Sequence, residues 1–216
     1  RLELGVVTDA VYVRQTVDFA DRSDADWSAP AAMRTASIPT HYSVVFVSAP
    51  FQQRTEIDGV MTGLLDFSIN KFDVDLTAAL YERLVDGTYV KLFTPDDEFR
   101  ASYVRDRTSR YLLRVGERQQ LRLRGEHLMS RSFEPGSRLV LVLSVVKRPD
   151  QEINYGTAAH VAQESIASAK VALQIRWYDS SYVELPTRVA GRDTQPAPAQ
   201  PARPKTTVHP QAAHPR

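Results

Sequence analysis

The sequence predicts an all-β fold, a two-sheet β-sandwich of the jelly-roll type. About eight to ten short strand-like runs follow one another along the chain, with turn residues between them at close spacing. Residues 160–170 could hold one or two helical turns; the end of the alternating run 72–84 would also suit a helix, but the Asp86-Gly87 pair after it favours a strand. The most apolar run, Arg138–Lys147 (RLVLVLSVVK), has the length and β-branched content of a strand buried on both faces.

A tight turn is predicted immediately before this central strand. Pro135 supplies a fixed φ and Gly136 can adopt a positive φ, so the pair suits the two middle positions of a type II turn. The strand that follows is expected at the centre of a sheet. Alternation and composition predict the other main elements in chain order: strands at 11–13, 16–19 and 42–47, a polar surface loop at 21–39, an alternating stretch at 56–70, and strands at 99–104 and 119–124.

Two hairpins are also predicted. Asp86-Gly87 separates two strand-like runs, which favours a hairpin with a type I′ turn. Asp179-Ser180-Ser181 lies between Leu173–Tyr178 and Tyr182–Leu185 and favours a second one.

Proline content divides the chain. Six of the 13 prolines lie in the last 25 residues, which lack large apolar side chains. We therefore expect an N-terminal strand and loop segment at 1–40, the sandwich core at 41–189 and a disordered tail at 190–216.

Composition excludes several classes of protein. Lys and Arg number 27 against 26 Asp and Glu, a formal charge of +1 that gives no argument for nucleic-acid binding. No apolar run is long enough to span a membrane. Cysteine is absent, which removes disulfides and thiolate catalysis. The opening segment after Arg1 has no signal-peptide pattern, so a cut or gap upstream is expected and the compartment, exported or cytoplasmic, stays open.

No motif for catalysis or cofactor binding is found. The sequence has no G-x-S-x-G, G-x-G-x-x-G, G-x-x-x-x-G-K-[ST] or H-E-x-x-H, and its five histidines are scattered. We therefore predict no catalytic residue and no cofactor in this chain.

Two clusters of side chains could still bind ligands. Asp73 and Asp75, with Asp66 nearby, could form a Ca²⁺ site, although the solvent face of an alternating strand is the favoured interpretation. Trp177 and Tyr178 could stack on a sugar, although packing within the sandwich is favoured. The alternating run Arg118–Arg124 is interpreted as the charged outer face of a strand.

Three stretches, kept in order, resemble a known family. They are residues 46–70 with the 80–89 run after them, Phe99–Asp106 (FRASYVRD), and residues 133–186. Together they resemble the C-terminal non-catalytic domain of the X-Pro dipeptidyl-peptidase and cocaine esterase family of serine hydrolases, which includes α-amino acid ester hydrolases. The resemblance covers about Val11–Pro186 and implies a jelly-roll sandwich of the galactose-binding-like kind.

The resemblance also implies a function. In such enzymes the catalytic residues belong to an upstream α/β-hydrolase domain of the same polypeptide, which would be this chain's partner. The chain alone would be inactive, and would pack on that domain and help to shape the substrate cleft. Asn154, Tyr155 and Thr157, with Trp177 and Tyr178, are the candidate cleft or interface residues. A free-standing carbohydrate- or ligand-binding module is the alternative, and association of several copies stays open.

One position departs from the family pattern. Relatives tend to have Gly where this sequence has Ala158. If that position needs a positive φ, Ala158 is strained by about 1 kcal/mol or the loop differs.

Overall fold

The computed structural model describes residues 2–3, 12–25 and 32–189, and within them the chain is an all-β sandwich, as predicted. The jelly-roll type stays a prediction, and the predicted disordered tail lies outside the described residues. The strands are β1 (Leu2–Glu3), β2 (Tyr12–Val17), β3 (Arg34–Thr35), β4 (Ser43–Val47), β5 (Thr55–Gly59), β6 (Thr62–Ile69), β7 (Asp75–Arg83), β8 (Tyr89–Lys91), β9 (Asp97–Arg100), β10 (Gln119–Arg124), β11 (Met129–Phe133), β12 (Arg138–Val145), β13 (Leu173–Tyr178), β14 (Tyr182–Glu184) and β15 (Thr187–Val189).

The strands form two large antiparallel sheets and one small one. The first sheet has the order β1-β14-β6-β13-β2, with β10 paired to β6. The second has the order β3-β8-β7-β12-β4, with β9 paired to β7, and the small third sheet has the order β11-β5-β15. Because β2 pairs along its whole length with β13, the segment before residue 40 contributes a strand to the sandwich instead of only leading into it.

The main core is built from alternating residues of both large sheets. Leu65, Phe67 and Ile69 of β6 are fully buried, as are Leu76, Ala78 and Leu80 of β7. All of them belong to one apolar cluster. This two-residue period places the intervening side chains on the outer faces of the sheets.

Strand β12 is buried on both faces, as the sequence predicted. It pairs along its length with β7 on one side and with β4 on the other. Leu141 faces the main core, whereas Val140 and Val142 join a second apolar cluster on the outer face of the sheet. Ile38 packs against this second cluster, so part of the predicted surface loop covers the sheet.

The turn before β12 is confirmed, but the turn at Asp86-Gly87 is of another type. Ser137 N donates to Glu134 O, and Gly136 has φ 88°, which is a type II turn. Gly87 N donates to Leu84 O, and within that loop only Gly87 has a positive φ, 86°. The hairpin therefore has a three-residue loop, a type I turn followed by glycine in the left-handed region, and not the type I′ turn.

The second predicted hairpin is wrong. Both β13 and β14 pair with β6, on the same edge, with Trp177 opposite Phe67 and Tyr182 opposite Leu64. The chain therefore continues in one direction, and the residues between these pairs form a bulge. Turn-forming residues favour either arrangement, because a bulge needs the same backbone freedom as a turn.

Other boundaries also differ from the predictions. The stretch at 56–70 divides at Gly59, where φ is 143°, into β5 and β6. The strand predicted at 99–104 ends at Arg100 and gives way to a 3-10 turn at Ala101–Tyr103. Residues 160–170 hold two 3-10 turns, at Val161–Gln163 and Ile166–Ser168. In the part of the chain that the structure describes, no helix has the length and apolar character needed to cross a membrane.

Candidate functional site

A polar cavity of about 200 Å³ lies where β7 begins. It brings together three of the residues singled out from the sequence, Asp73, Asp75 and Asn154. The rest of its lining consists mainly of charged and polar side chains from two loops: Arg100, Ser102, Tyr103, Arg110, Glu152 and His160.

The segment 154–160, here called the Asn154 loop, forms one wall of the cavity. The Asn154 side chain is 2% exposed; its Nδ2 donates to Asp75 Oδ1 at 3.1 Å and its Oδ1 accepts from Gly156 N at 3.0 Å. Gly156 has φ 74°, and a Cβ there would lie 2.7 Å from Asp73 O. Only glycine fits this position, so the loop lies directly against the chain that leads into β7.

Glu164 holds the outer part of the Asn154 loop. Its carboxylate accepts hydrogen bonds from Tyr155 N at 2.6 Å and from Thr157 N at 2.7 Å. The Thr157 hydroxyl also donates to it. Sequence reasoning missed Glu164, because no motif marks a single glutamate seven residues beyond Thr157, which it binds.

Asp73 links two loops and is not available to a metal. Its Oδ2 accepts from Arg110 Nη2 at 3.0 Å and from Ser102 Oγ at 2.7 Å, and its Oδ1 accepts from Val74 N at 2.9 Å. Arg110 also donates to the carbonyl of Ala158, at 3.2 Å. Ser102 N also donates to Asp73 Oδ1 at 3.2 Å and Arg110 Nε to Asp73 Oδ2 at 3.3 Å, so five donors occupy the roughly four lone-pair sites of this carboxylate and leave none free for Ca²⁺.

The pair of Asp73 and Asp75 therefore fits neither of the two predictions, a Ca²⁺ site or the solvent face of a strand. Asp73 is 2% exposed and Asp75 is partly buried, so the pair does not lie on a solvent face. The described residues contain no group of three or more His, Cys, Asp or Glu side chains that could hold a metal ion.

In the cavity, the carboxyl group of Asp75 has a raised pKa. Burial raises the pKa of its carboxyl to about 6, the nearby charge of Asp73 adds to the rise, and the hydrogen bond from Asn154 opposes it. Ser102 is 1% exposed and donates to Asp73, and among the described residues no histidine bonds to it, so it lacks the base that would activate a nucleophile.

The Asn154 loop exposes only some of its residues. Tyr155 is buried and its ring packs on Phe19, with the ring centroids 5.4 Å apart. Thr157, Ala159 and His160 reach the solvent. Of the three predicted contact residues, Thr157 is the one that a partner could touch.

Trp177 and Tyr178 lie away from the cavity. Trp177 is 1% exposed, its Nε1 donates to Gln15 Oε1 at 2.8 Å, and its ring packs on Phe67. A side chain buried this deeply cannot stack on a sugar or line a cleft, so core packing, the interpretation favoured from the sequence, accounts for Trp177. Tyr178 is half-buried beneath the guanidinium of Arg118, 4.2 Å from the ring centroid.

Ala158 adopts the positive φ that was considered for it in the sequence, at the position where the family tends to have glycine. Its φ is 75°, in the left-handed region that favours glycine. The loop thus keeps its shape at a cost in backbone strain, which the contacts made by Arg110 and Glu164 offset.

Comparisons with known proteins support the fold. No protein-family profile matches the sequence, and neither does any curated protein. Among solved structures, an aminopeptidase from the marine sediment archaeon Thaumarchaeota archaeon is similar, with 15% identity, a TM-score of 0.72, and coverage of 87% of this chain and 36% of that one. An α-amino acid ester hydrolase is similar with 17% identity, a TM-score of 0.65, and coverage of 85% and 33%.

A CocE/NonD family hydrolase from Staphylococcus aureus shows the same relation, with 15% identity, a TM-score of 0.52, and coverage of 86% of this chain and 35% of that one. The chain thus spans about a third of the length of each of these proteins. At this level of identity the likeness shows a shared fold, and it confirms at that level the resemblance found in the sequence.

Replacing Ala158 by glycine is expected to stabilise the protein. A left-handed conformation costs a residue with a Cβ roughly 1–2 kcal/mol, and the greater freedom of glycine in the unfolded chain returns part of this, so we expect a net gain of about 0.5–1 kcal/mol. Urea unfolding followed by circular dichroism measures the change. Ala159→Gly, one residue along and without a positive φ, is the control and should lower stability slightly; equal effects of both changes would contradict the assignment.

Asp75 is expected to make stability depend on pH. Because its pKa is raised in the folded state, the unfolded chain loses this proton first, and the free energy of unfolding falls as pH rises from about 4 to about 6. The contribution is at most about 1.4 kcal/mol per pH unit. In urea unfolding, the free energy of unfolding of Asp75→Asn should therefore rise relative to that of the unaltered protein between pH 4 and pH 7. Asp58→Asn, at an exposed position, should differ from the unaltered protein by the same amount throughout this range. A constant difference between Asp75→Asn and the unaltered protein would rule out this titration.

Proposed function

We propose that this chain is an accessory β-sandwich domain of an α/β-hydrolase-type serine hydrolase, related in activity to X-Pro dipeptidyl-peptidases and acyl esterases. The observation that carries the proposal is the extent of the structural likeness. About 85–87% of this chain matches only about a third of the aminopeptidase and the α-amino acid ester hydrolase. In such a protein the remaining two thirds would supply the catalytic machinery.

The composition of the chain itself supports a non-catalytic role. The sequence lacks the G-x-S-x-G elbow on which such hydrolases carry their nucleophile. The polar cavity beside the Asn154 loop contains a cluster of titratable groups. Its one buried serine, Ser102, donates a hydrogen bond to the carboxylate of Asp73. Acyl transfer would therefore be performed by residues of another domain.

The Asn154 loop is the surface that we propose faces the substrate cleft. Arg110 and Glu164 hold its backbone from two sides, so Thr157, Ala159 and His160 are presented on a rigid support. A rigid wall limits which substrates fit without taking part in bond making. Acyl, ester or X-Pro peptide bonds are the proposed substrate class, and the loop would influence binding more than turnover.

The chain by itself is expected to be inactive. A fluorophosphonate probe, which labels activated serines, should leave the 216-residue protein unmodified in intact-mass spectrometry. A longer polypeptide that includes a hydrolase domain should be labelled on one serine outside this chain. Stoichiometric labelling of a serine within these residues would overturn the proposal.

The loop's role can be tested in such a longer polypeptide. His160→Ala is expected to change KM for ester or X-Pro substrates several-fold with little change in kcat, because the side chain would line the cleft but not touch the reacting atoms. His41→Ala is the matched control, an exposed histidine outside the polar cavity, and should leave both constants unchanged. If His160→Ala and His41→Ala have the same KM and kcat, the Asn154 loop does not line the cleft.

A further inference from the structure

Strand β10 forms an open edge of the first sheet. It pairs with β6 on one side, in a register that runs from Gln119 opposite Phe67 to Arg124 opposite Thr62. No other described strand pairs with it. Every second residue of an antiparallel edge strand directs its N–H and C=O away from its partner, so β10 offers unpaired backbone groups along this edge.

A groove of about 610 Å³ runs beside this edge. One wall is β10, and the opposite wall comes from the 3-10 turn at Ala101–Tyr103 and from the segment 111–114. Its volume is in the range of sites that bury small ligands or a short stretch of peptide.

The hydrogen bonds of the opposite wall alternate as in an extended strand. Tyr111 N donates to Ser102 O and Leu113 N donates to Phe72 O, both at 2.7 Å and both away from β10. Arg114 N instead donates towards β10, to Gln119 Oε1 at 2.8 Å. By this alternation the backbone of Leu112 also faces the groove, and no described residue bonds to it.

Gln119 closes one end of the groove by imitating a neighbouring strand. Its side-chain amide accepts from Arg114 N and donates to Arg114 O at 2.9 Å, the two bonds that a paired peptide group would make. Beyond Gln119, alternate backbone groups of β10 and those of Leu112 on the opposite wall have no partner among the described residues. The site therefore has the hydrogen-bonding pattern of a place for one more strand.

The charge of the groove selects the kind of strand. Four arginines and one glutamate line it: Arg105, Arg114, Arg118, Arg122 and Glu117. Arg118 is engaged by Asp66, at 2.7 Å, but Arg122 is exposed and has no ion-pair partner among the described residues. Such charges disfavour basic or apolar strands at an edge and leave an acidic one acceptable.

The apolar surface of the groove sets the second requirement. Tyr111 and Leu112 are 44% and 43% exposed, and the buried Leu113 and Leu121 also line the groove. Side chains of an inserted strand alternate between two faces. One face would meet the buried Leu113 and Leu121, and the other the exposed Arg122.

We propose that this groove binds an extended peptide segment of a partner polypeptide, with alternating acidic and apolar residues, which adds to β10 as a further strand. Residues 190–216 of this chain do not suit the groove, because they contain six prolines, four basic residues and one acidic residue. Proline has no N–H to donate, and the basic charge repels that of the groove. The proposal is independent of the hydrolase assignment, since it rests on the edge and its charge alone.

The test uses the full chain and a capped seven-residue peptide in which glutamate alternates with valine. Isothermal titration calorimetry should show saturable binding with a Kd of about 100 μM or lower. A peptide with lysine in place of glutamate should bind at least tenfold more weakly, because its charge is reversed. A peptide whose valines carry N-methyl groups should also bind at least tenfold more weakly, because the valine N–H groups all point to one wall of the groove and can no longer donate to it.

Two matched variants locate the site. Arg122 and Arg124 are exposed residues two positions apart on the same face of β10, and only Arg122 lines the groove. Arg122→Glu should raise the Kd about fivefold or more, while Arg124→Glu should leave it within about twofold. Circular dichroism checks that both variants fold, and the N-methylated peptide tests strand addition without any variant.

Amide hydrogen exchange gives a further readout, because Leu112 and alternate residues of β10 should become protected only when the glutamate peptide is bound. Equal binding of the lysine or N-methylated peptide, equal effects of the two arginine variants, or an absence of saturable binding would each overturn the proposal. So would association of two copies of the chain through β10 without peptide, measured by sedimentation equilibrium.

Discussion

Strand β12 is buried on both faces, and the rest of the structure depends on this constraint. Its inner side chains meet the first sheet across the main core, while Val140 and Val142 require cover on the outside. Because β7 pairs with it along its length, β7 is held in the middle of the sheet. The pairing continues beyond β12, where Val146 N donates to Asp75 O at 2.8 Å and so positions the residue at which the cavity opens.

Carboxylates connect the loops to this framework. Asp73 joins the segment around Ser102 and Arg110 to the start of β7, and Glu164 holds the Asn154 loop. On the first sheet, Asp66 binds Arg118 and the hydroxyl of Ser180, and these hydrogen bonds keep the pKa of Asp66 below its usual value although burial raises it. The pair of Asp73 and Arg110 is the most buried of these contacts, with side chains 1% and 15% exposed, and removing one partner of such a pair costs about 3–5 kcal/mol.

The two surfaces with functional potential differ in kind. The Asn154 loop is rigid and its backbone hydrogen bonds are largely satisfied, so it suits a wall against which another domain or a substrate packs. The β10 groove is incomplete, since its backbone groups have no partners among the described residues, and it suits a segment that supplies a strand. Both surfaces suit the proposed role of a domain that acts through contacts with other polypeptide segments.

Patterns within a few residues were sufficient for much of the fold. The run of apolar residues predicted β12, Pro135-Gly136 predicted its type II turn, and the Gly-to-Ala departure predicted the strained Ala158, because each depends on properties local to the backbone. The Asp179–Ser181 segment was ambiguous for the same reason, since a bulge and a hairpin use similar residues. Which one forms depends on β6, more than 100 residues earlier in the chain.

The sequence by itself determined the all-β class, the central strand and the residues of the Asn154 loop. Only the tertiary structure decided that Trp177 is core, that Asp73 pairs with Arg110, and that β10 has an open edge facing a basic groove. These depend on which segments meet across the sandwich, and alternation along one strand shows that a face is buried but not what buries it.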